Sequence, residues 1–220
     1  MTEVKKRNMA KRVICYILGT VVMYIGIAMS IRADIGVAPA STIPYAASRL
    51  SPLSIGMCSA LFNILCVLTQ LAITRRMTLK LAFQIPMSYV LGFMLDVFYR
   101  MLDIPLPGLI HRVLFLISGL IIFSLGIRII VGADLMIMPP DGLALTLGKA
   151  FGWPMSKGKL VFDIIVVAFT ALLTLIMVGN AFLVVGVGTV ICAAGTGPII
   201  GLFTKLLPFF DVRVLEQADK

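Results

Sequence analysis

Charge is scarce in this 220-residue sequence: 13% of it is Asp, Glu, Lys or Arg, and only ten residues are acids. A soluble domain carries about 25% charged residues, so a hydrated globular surface is excluded. Histidine appears once, and the four cysteines (Cys15, Cys58, Cys66 and Cys192) stand apart within apolar runs, with no CxxC among them. That leaves no zinc ligand set and no redox pair. HExxH, GxSxG and the phosphate-binding loop are all missing, so neither an enzyme, a metal nor a cofactor is expected. What is there instead is apolar: 60% of the residues are hydrophobic and mean hydropathy is +1.07. The composition predicts a polytopic membrane protein whose first partner is the lipid bilayer.

The formal charge of +9 does not argue for nucleic acid. Lys5, Lys6, Arg7, Lys11 and Arg12 precede the first apolar run, and Arg75, Arg76 and Lys80 lie between the second and third. No aromatic residues interleave them, as a single-strand groove needs. Six runs are long enough to cross a bilayer core of about 30 Å: residues 13–31, 53–73, 79–101, 113–131, 157–178 and 181–207. The first is too long for a signal-peptide core and reads as a span. The last two are expected to form a tight hairpin around Gly179-Asn180. With the N-terminus in the cytosol, fourteen Lys and Arg fall on the cytosolic side and four (Arg32, Arg49, Arg100 and Arg112) on the other. Under the positive-inside rule both termini are then cytosolic.

Shifted by 100 residues, segment 12–39 matches 112–139 at nine of 28 positions: Arg12, Val13, Ile17, Gly19, Gly26, Ile27, Ala33, Asp34 and Pro39 each meet their own kind. Chance supplies roughly two or three in text this apolar. The same shift aligns Phe62-Asn63-Ile64 with Phe162-Asp163-Ile164. Each copy holds three spans, an odd number, so the second copy enters the membrane inverted, as in many secondary transporters. The expected fold class is an all-α polytopic membrane protein: six transmembrane helices in two inverted three-helix repeats, with short broken or re-entrant helices after spans 1 and 4. The single transmembrane domain, 1–220, divides into a basic cytosolic leader (1–11), repeat 1 (12–104), repeat 2 (112–207) and a cytosolic tail (208–220).

The broken segments are RADIGVAPASTIPYAASRLSP (32–52) and GADLMIMPPDGLALTLGKAFGWP (132–154). Both are too apolar for free loops and too interrupted for spans. In each, an acid ends the span (Asp34, Asp134), a proline follows (Pro39, Pro139), then a helix-capping residue type (Ser41, Asp141), then helix-compatible residues closing on a cation (Arg49, Lys149). Nine such residues make a helix of about 14 Å, which either re-enters the membrane or lies on its surface. Ionisable groups at membrane depth are costly and mark solute or ion paths. Asp34, Asp134, Asp163, Asn63, Ser41 and Asp141 are therefore the candidate pathway residues, with end-capping the plainer role for Asp34 and Asp134 and a helix-to-helix hydrogen bond for Asp163. Asp96 and Arg100 are spaced to pair, and Arg128 either snorkels or meets Asp163. In the last span Gly188 and Gly197 serve packing, and Pro198 packs or breaks the helix.

On GIAMSIRADIGVAP (26–39), SIGMCSALFNI (54–64) and GVGTVICAAGTGPIIGLF (186–203), the chain resembles the YczE/YyaS/YitT group of bacterial integral membrane proteins, in particular its YczE-like branch. The resemblance implies a bacterial cytoplasmic-membrane protein of five or six spans, and supplies no substrate or site residue. From the repeat and the broken segments the expected role is a small-solute transporter or channel with its site between the repeats. The alternatives are a substrate-capturing subunit of a larger transporter and a non-transporting accessory or regulatory protein. A homo-oligomer or a partner membrane protein is compatible with each.

Overall fold

The computed structural model describes residues 3–180 and 182–207, and among them the chain is helical with no strand. In order come α1 (Glu3–Ala33), a 3-10 turn (Pro39–Ser41) leading into α2 (Thr42–Leu50), α3 (Ile55–Thr74), α4 (Leu79–Met101), α5 (Leu109–Ala133), α6 (Pro139–Ala150), α7 (Met155–Val178) and α8 (Val187–Leu206). Among the described residues six stretches are long and apolar enough to cross a bilayer: Met9–Ala33, Ile55–Thr74, Leu79–Met101, Leu109–Ala133, Lys157–Val178 and Val187–Leu206. The chain is an integral, multi-pass membrane protein, and outward-facing side chains such as Phe93, Ile110, Ile176 and Val190 meet lipid.

The helix ends follow from local chemistry. Ser54 and Thr78 cap α3 and α4 by accepting the Met57 and Leu81 N–H groups at 3.1 and 3.3 Å. Asp34 and Asp134 stop α1 and α5 in the left-handed conformation, φ 52° and 49°, one that Asp tolerates better than most residues. Buried Pro39 and Pro139 then open the next helical turn, where a missing N–H costs nothing. Helix α1 runs back through the basic leader to Glu3. The tail, 208–220, lies outside the described residues.

At the centre, α1 and α5 pack along each other more extensively than any other pair. Glycines make this approach: a Cβ on Gly26 would collide with the Phe123 backbone, and one on Gly126 with the Met23 backbone. Likewise Gly19 abuts Ile129 and Ile130, while Gly119 abuts Met29 and Ser30. Each contact thus recurs with both partners shifted by 100 residues in opposite directions. Around this pair, α3 packs on α6 and α7 packs on α2 with its 3-10 turn, while α4 packs on α1 and α8 on α5.

Four expectations need correcting. Helix α8 starts at Val187, not 181, because Gly186 is extended and the chain turns through 182–186. The last two long helices form no tight hairpin, and α7 and α8 scarcely touch. Helix α8 continues through Pro198 without a break. Asp96 does not pair with Arg100. It reaches across to the start of α3, taking the Gly56 N–H at 2.7 Å and the Ser54 hydroxyl at 2.6 Å, because unpartnered N–H groups at a helix start attract a carboxylate.

Candidate functional site: the starts of the two short helices

The short helices are enclosed by protein. In α2 only Arg49 is exposed, and in α6 only Lys149 and Ala150 at its end. Their starts lie inside the bundle, with Pro39, Thr42, Pro139 and Gly142 all buried. Each start is met by a polar side chain from the long helix opposite. The Thr42 and Thr170 hydroxyls are 2.9 Å apart. Gln70 donates to the Pro139 carbonyl at 3.1 Å, and its side-chain oxygen lies where a Cβ on Gly142 would go. Position 42 against 170 is thus repeated as 142 against 70, with a small-small pair in one place and a Gly-Gln pair in the other. Thr170 stands about 12 Å from the C-terminal end of α7 at 1.5 Å per residue.

Ser41 and Asp141 do not cap these helices. Ser41 makes no side-chain capping bond, and the turn starts at Pro39 instead. Asp141 falls within the first turn of α6, since Pro139 already begins that helix. Its carboxylate is taken by Lys159 of α7, Nζ to Oδ1 at 3.0 Å, and the same ammonium holds Asp163 at 2.9 Å. Asn63, at the place in α3 that Asp163 holds in α7, is buried against the Tyr24 hydroxyl.

Asp34 and Asp134 belong elsewhere, at opposite ends of the α1–α5 pair. Asp34 accepts from the Tyr45 hydroxyl at 2.6 Å and Arg49 at 2.7 Å, with Arg112 of α5 at 3.7 Å. Asp134 faces Arg12 of α1 at 3.5 Å. These two cross-pairs, 112 with 34 and 12 with 134, are again one contact written twice. The helix between Arg12 and Asp34 is about 33 Å long, close to the thickness of a hydrocarbon core of about 30 Å. Each carboxylate is held by cations. Arg128 neither snorkels to lipid nor meets Asp163: it is buried and donates to the Leu207 carbonyl at the end of α8, 3.3 Å away.

The six candidate residues therefore fall into separate groups rather than one constellation. The structure adds Lys159, Gln70 and Thr170 to them. Lys159 carries a sequence signal, its i, i+4 spacing to Asp163; Gln70 and Thr170 carry only a polar side chain within an apolar run. Between the short helices the centre is filled by Phe62, Cys66, Leu143, Phe162 and Val166, with Ile43 against them. A hollow between α1, α5 and α8, lined by Ser30, Phe123 and Cys192 among others, has a cavity volume of about 10 Å³, far below the range of about 300–1,000 Å³ for ligand pockets. Gly188 lets α8 approach the Ile35 and Gly36 carbonyls, and its N–H donates to Ile35 at 2.8 Å. Gly197 has nothing within 4 Å of where its Cβ would lie.

The model of a family of unknown function (DUF6198) matches residues 10–205, and the chain belongs to that family. The match does not carry the YczE/YyaS/YitT naming with it. No curated protein and no solved structure matches the chain.

Proposed function

We propose that this protein is a small-solute transporter or channel of the bacterial cytoplasmic membrane, not an enzyme, built from two inverted three-helix repeats with both termini cytosolic. The observation that carries the reading is the pair of short helices whose starts are buried in the bundle and met by side chains of the opposite half. Backbone that breaks at membrane depth is tolerated where protein or a solute path surrounds it, and paired half-helices at a repeat interface are where secondary transporters place their sites. The reciprocal contacts along α1 and α5, and the reciprocal ion pairs at their ends, support a two-fold relation between the halves, since isologous contacts come in such pairs. The enclosure of α2 and α6 favours re-entrance over helices lying on the surface. In this reading the apolar centre around Phe62 and Phe162 closes the path, and passage requires α6 or α2 to move.

The packed apolar centre also favours a second reading, a non-transporting accessory or regulatory protein. Flux separates the two. A thermal-shift screen of purified protein against small metabolites nominates a ligand, and proteoliposomes then test whether the lone protein moves it. Uptake supports transport; binding without uptake, across a panel of gradients, supports capture or regulation instead. Membrane-impermeant thiol labelling of Arg49→Cys and Lys149→Cys is expected to place them on opposite faces. Labelling from one face sinks the inverted arrangement.

A further inference from the structure

The two starts of the short helices differ in charge. Shifted by 100 residues, Asp141, Lys159 and Asp163 fall on Ser41, Ser59 and Asn63. In the first half these positions carry no charge, and α2 packs on α3 without one. Charge is not what holds such a unit together, and partly enclosed ions at this depth are costly to keep.

The geometry of the charged version is that of a shared cation. Lys159 donates to Asp163, four residues further along its own helix, and to Asp141 on the neighbouring helix. Only the second bond ties α6 to α7. Two carboxylates share one ammonium, so one negative charge is left over. The other groups facing the cluster are few. From α3 comes Cys66, which feels both Asp141 and Lys159, and from α7 the Phe162 ring, 5.7 Å from the ammonium. On α2 the titratable Tyr45 and Arg49 are engaged with Asp34 instead.

We propose that Asp163 binds a proton, and that its occupancy decides whether Lys159 clamps the short helix α6 onto α7. Asp141 sits in the first turn of α6, beside the unpartnered N–H groups of the helix start. Asp163 has no such support, and its side chain is the less exposed of the two, 21% against 37%, so the proton goes there. A proton taken from the aqueous phase neutralises the Asp163 carboxylate; Lys159 stays charged and turns wholly to Asp141. Loss of that proton returns the ammonium to both acids and loosens α6. A proton needs one carboxylate oxygen, whereas a metal ion needs a shell of several oxygens; Lys159 occupies that space, and among the described residues no three His, Cys, Asp or Glu gather to hold a metal ion. The proposal rests on α6 as a moving element of a permeation site and names the coupling ion of that site.

Cys66 reports the clamp, because it is buried under Leu143 and Ala144 of α6. The experiment uses full-length protein in liposomes with Cys15, Cys58 and Cys192 replaced by Ala. The rate of Cys66 alkylation by a maleimide is divided by that of denatured protein at the same pH, which removes the titration of the thiol itself. The normalised rate is expected to rise roughly tenfold from about pH 5 to about pH 9, the change that one unit of differential proton affinity supplies. Asp163→Asn is expected to be slow at every pH, and Asp141→Asn and Lys159→Met fast at every pH. Asp141→Ser with Lys159→Ser and Asp163→Asn copies the neutral half. It is expected to keep folded yield and lose the pH response. A flat wild-type profile, a pH response that survives in the triple variant, or equal behaviour of Asp163→Asn and Asp141→Asn overturns the proposal. So does a response to sodium in place of choline at fixed pH. The assay needs no solute, so it is decided separately from flux.

Discussion

The two halves of the molecule share one set of contacts and differ in how firmly their last two helices are held. In the first half α3 and α4 close on each other: Gly56 lies against the Gly92 carbonyl, and Asp96 of α4 caps the start of α3. In the second half α7 and α8 scarcely touch. Gly158 turns to α6, against Gly148 and the Ala144 carbonyl, and Gly197 and Gly201 of α8 face open space. What is common to both halves is therefore the α1–α5 pair and the seating of the short helices; what varies is the outer hairpin. The comparison sets a closed outer pair, α3 with α4, against an open one, α7 with α8.

The largest effect is expected where the halves meet. Gly26→Leu and Gly126→Leu each drive a side chain into the backbone of the facing helix and are expected to cost about 3 kcal/mol, the upper end of overpacking penalties. Folded yield and Tm in detergent measure this. Because the two contacts are one contact repeated, the losses are expected to be alike; a harmless Gly126→Leu beside a crippling Gly26→Leu breaks the two-fold relation.

An intermediate effect tests the seats of the short helices. Thr170→Gln crowds Thr42 and is expected to cost about 1–3 kcal/mol. Adding Thr42→Gly recreates the Gly142–Gln70 pair of the other half and is expected to recover about 1 kcal/mol or more of that loss as coupling. Tm of the single and double variants reads it out, and additive losses deny that the two seats are equivalent.

The smallest effect belongs to the open face of α8. Gly197→Leu and Gly201→Leu meet nothing within 4 Å and are expected to change stability by less than about 0.5 kcal/mol, as exposed substitutions do. A large drop in Tm shows that another surface covers this face and that the comparison between hairpins is incomplete.

Much of the fold was legible because its signals are local. Hydropathy located all six long helices, and Asp34-to-Pro39 with Asp134-to-Pro139 marked where two of them stop. The proposed repeat leaves a mark in the sequence because Gly26 and Gly126 are small for the same steric reason, the close approach of α1 and α5. What was not legible depends on partners distant in sequence. Asp96 has Arg100 four residues away and still goes to Gly56, forty residues back, since helix-start N–H groups are visible only once the helices are placed. The spacing of Lys159 to Asp163 is readable in the sequence; its bond to Asp141 is not. The splay of α7 and α8 left no mark at all, because an apolar helix reads the same whether it faces lipid or protein.

The α1–α5 pair also sets a timetable for the newborn chain. Gly26 finds the Phe123 backbone only after about a hundred more residues have been made, a wait of roughly 5–20 s at ordinary rates of synthesis. Until then the glycine-notched flank of α1 stands in the membrane without α5 against it. Helices α7 and α8, made last, dock onto a centre whose other helices have already been made.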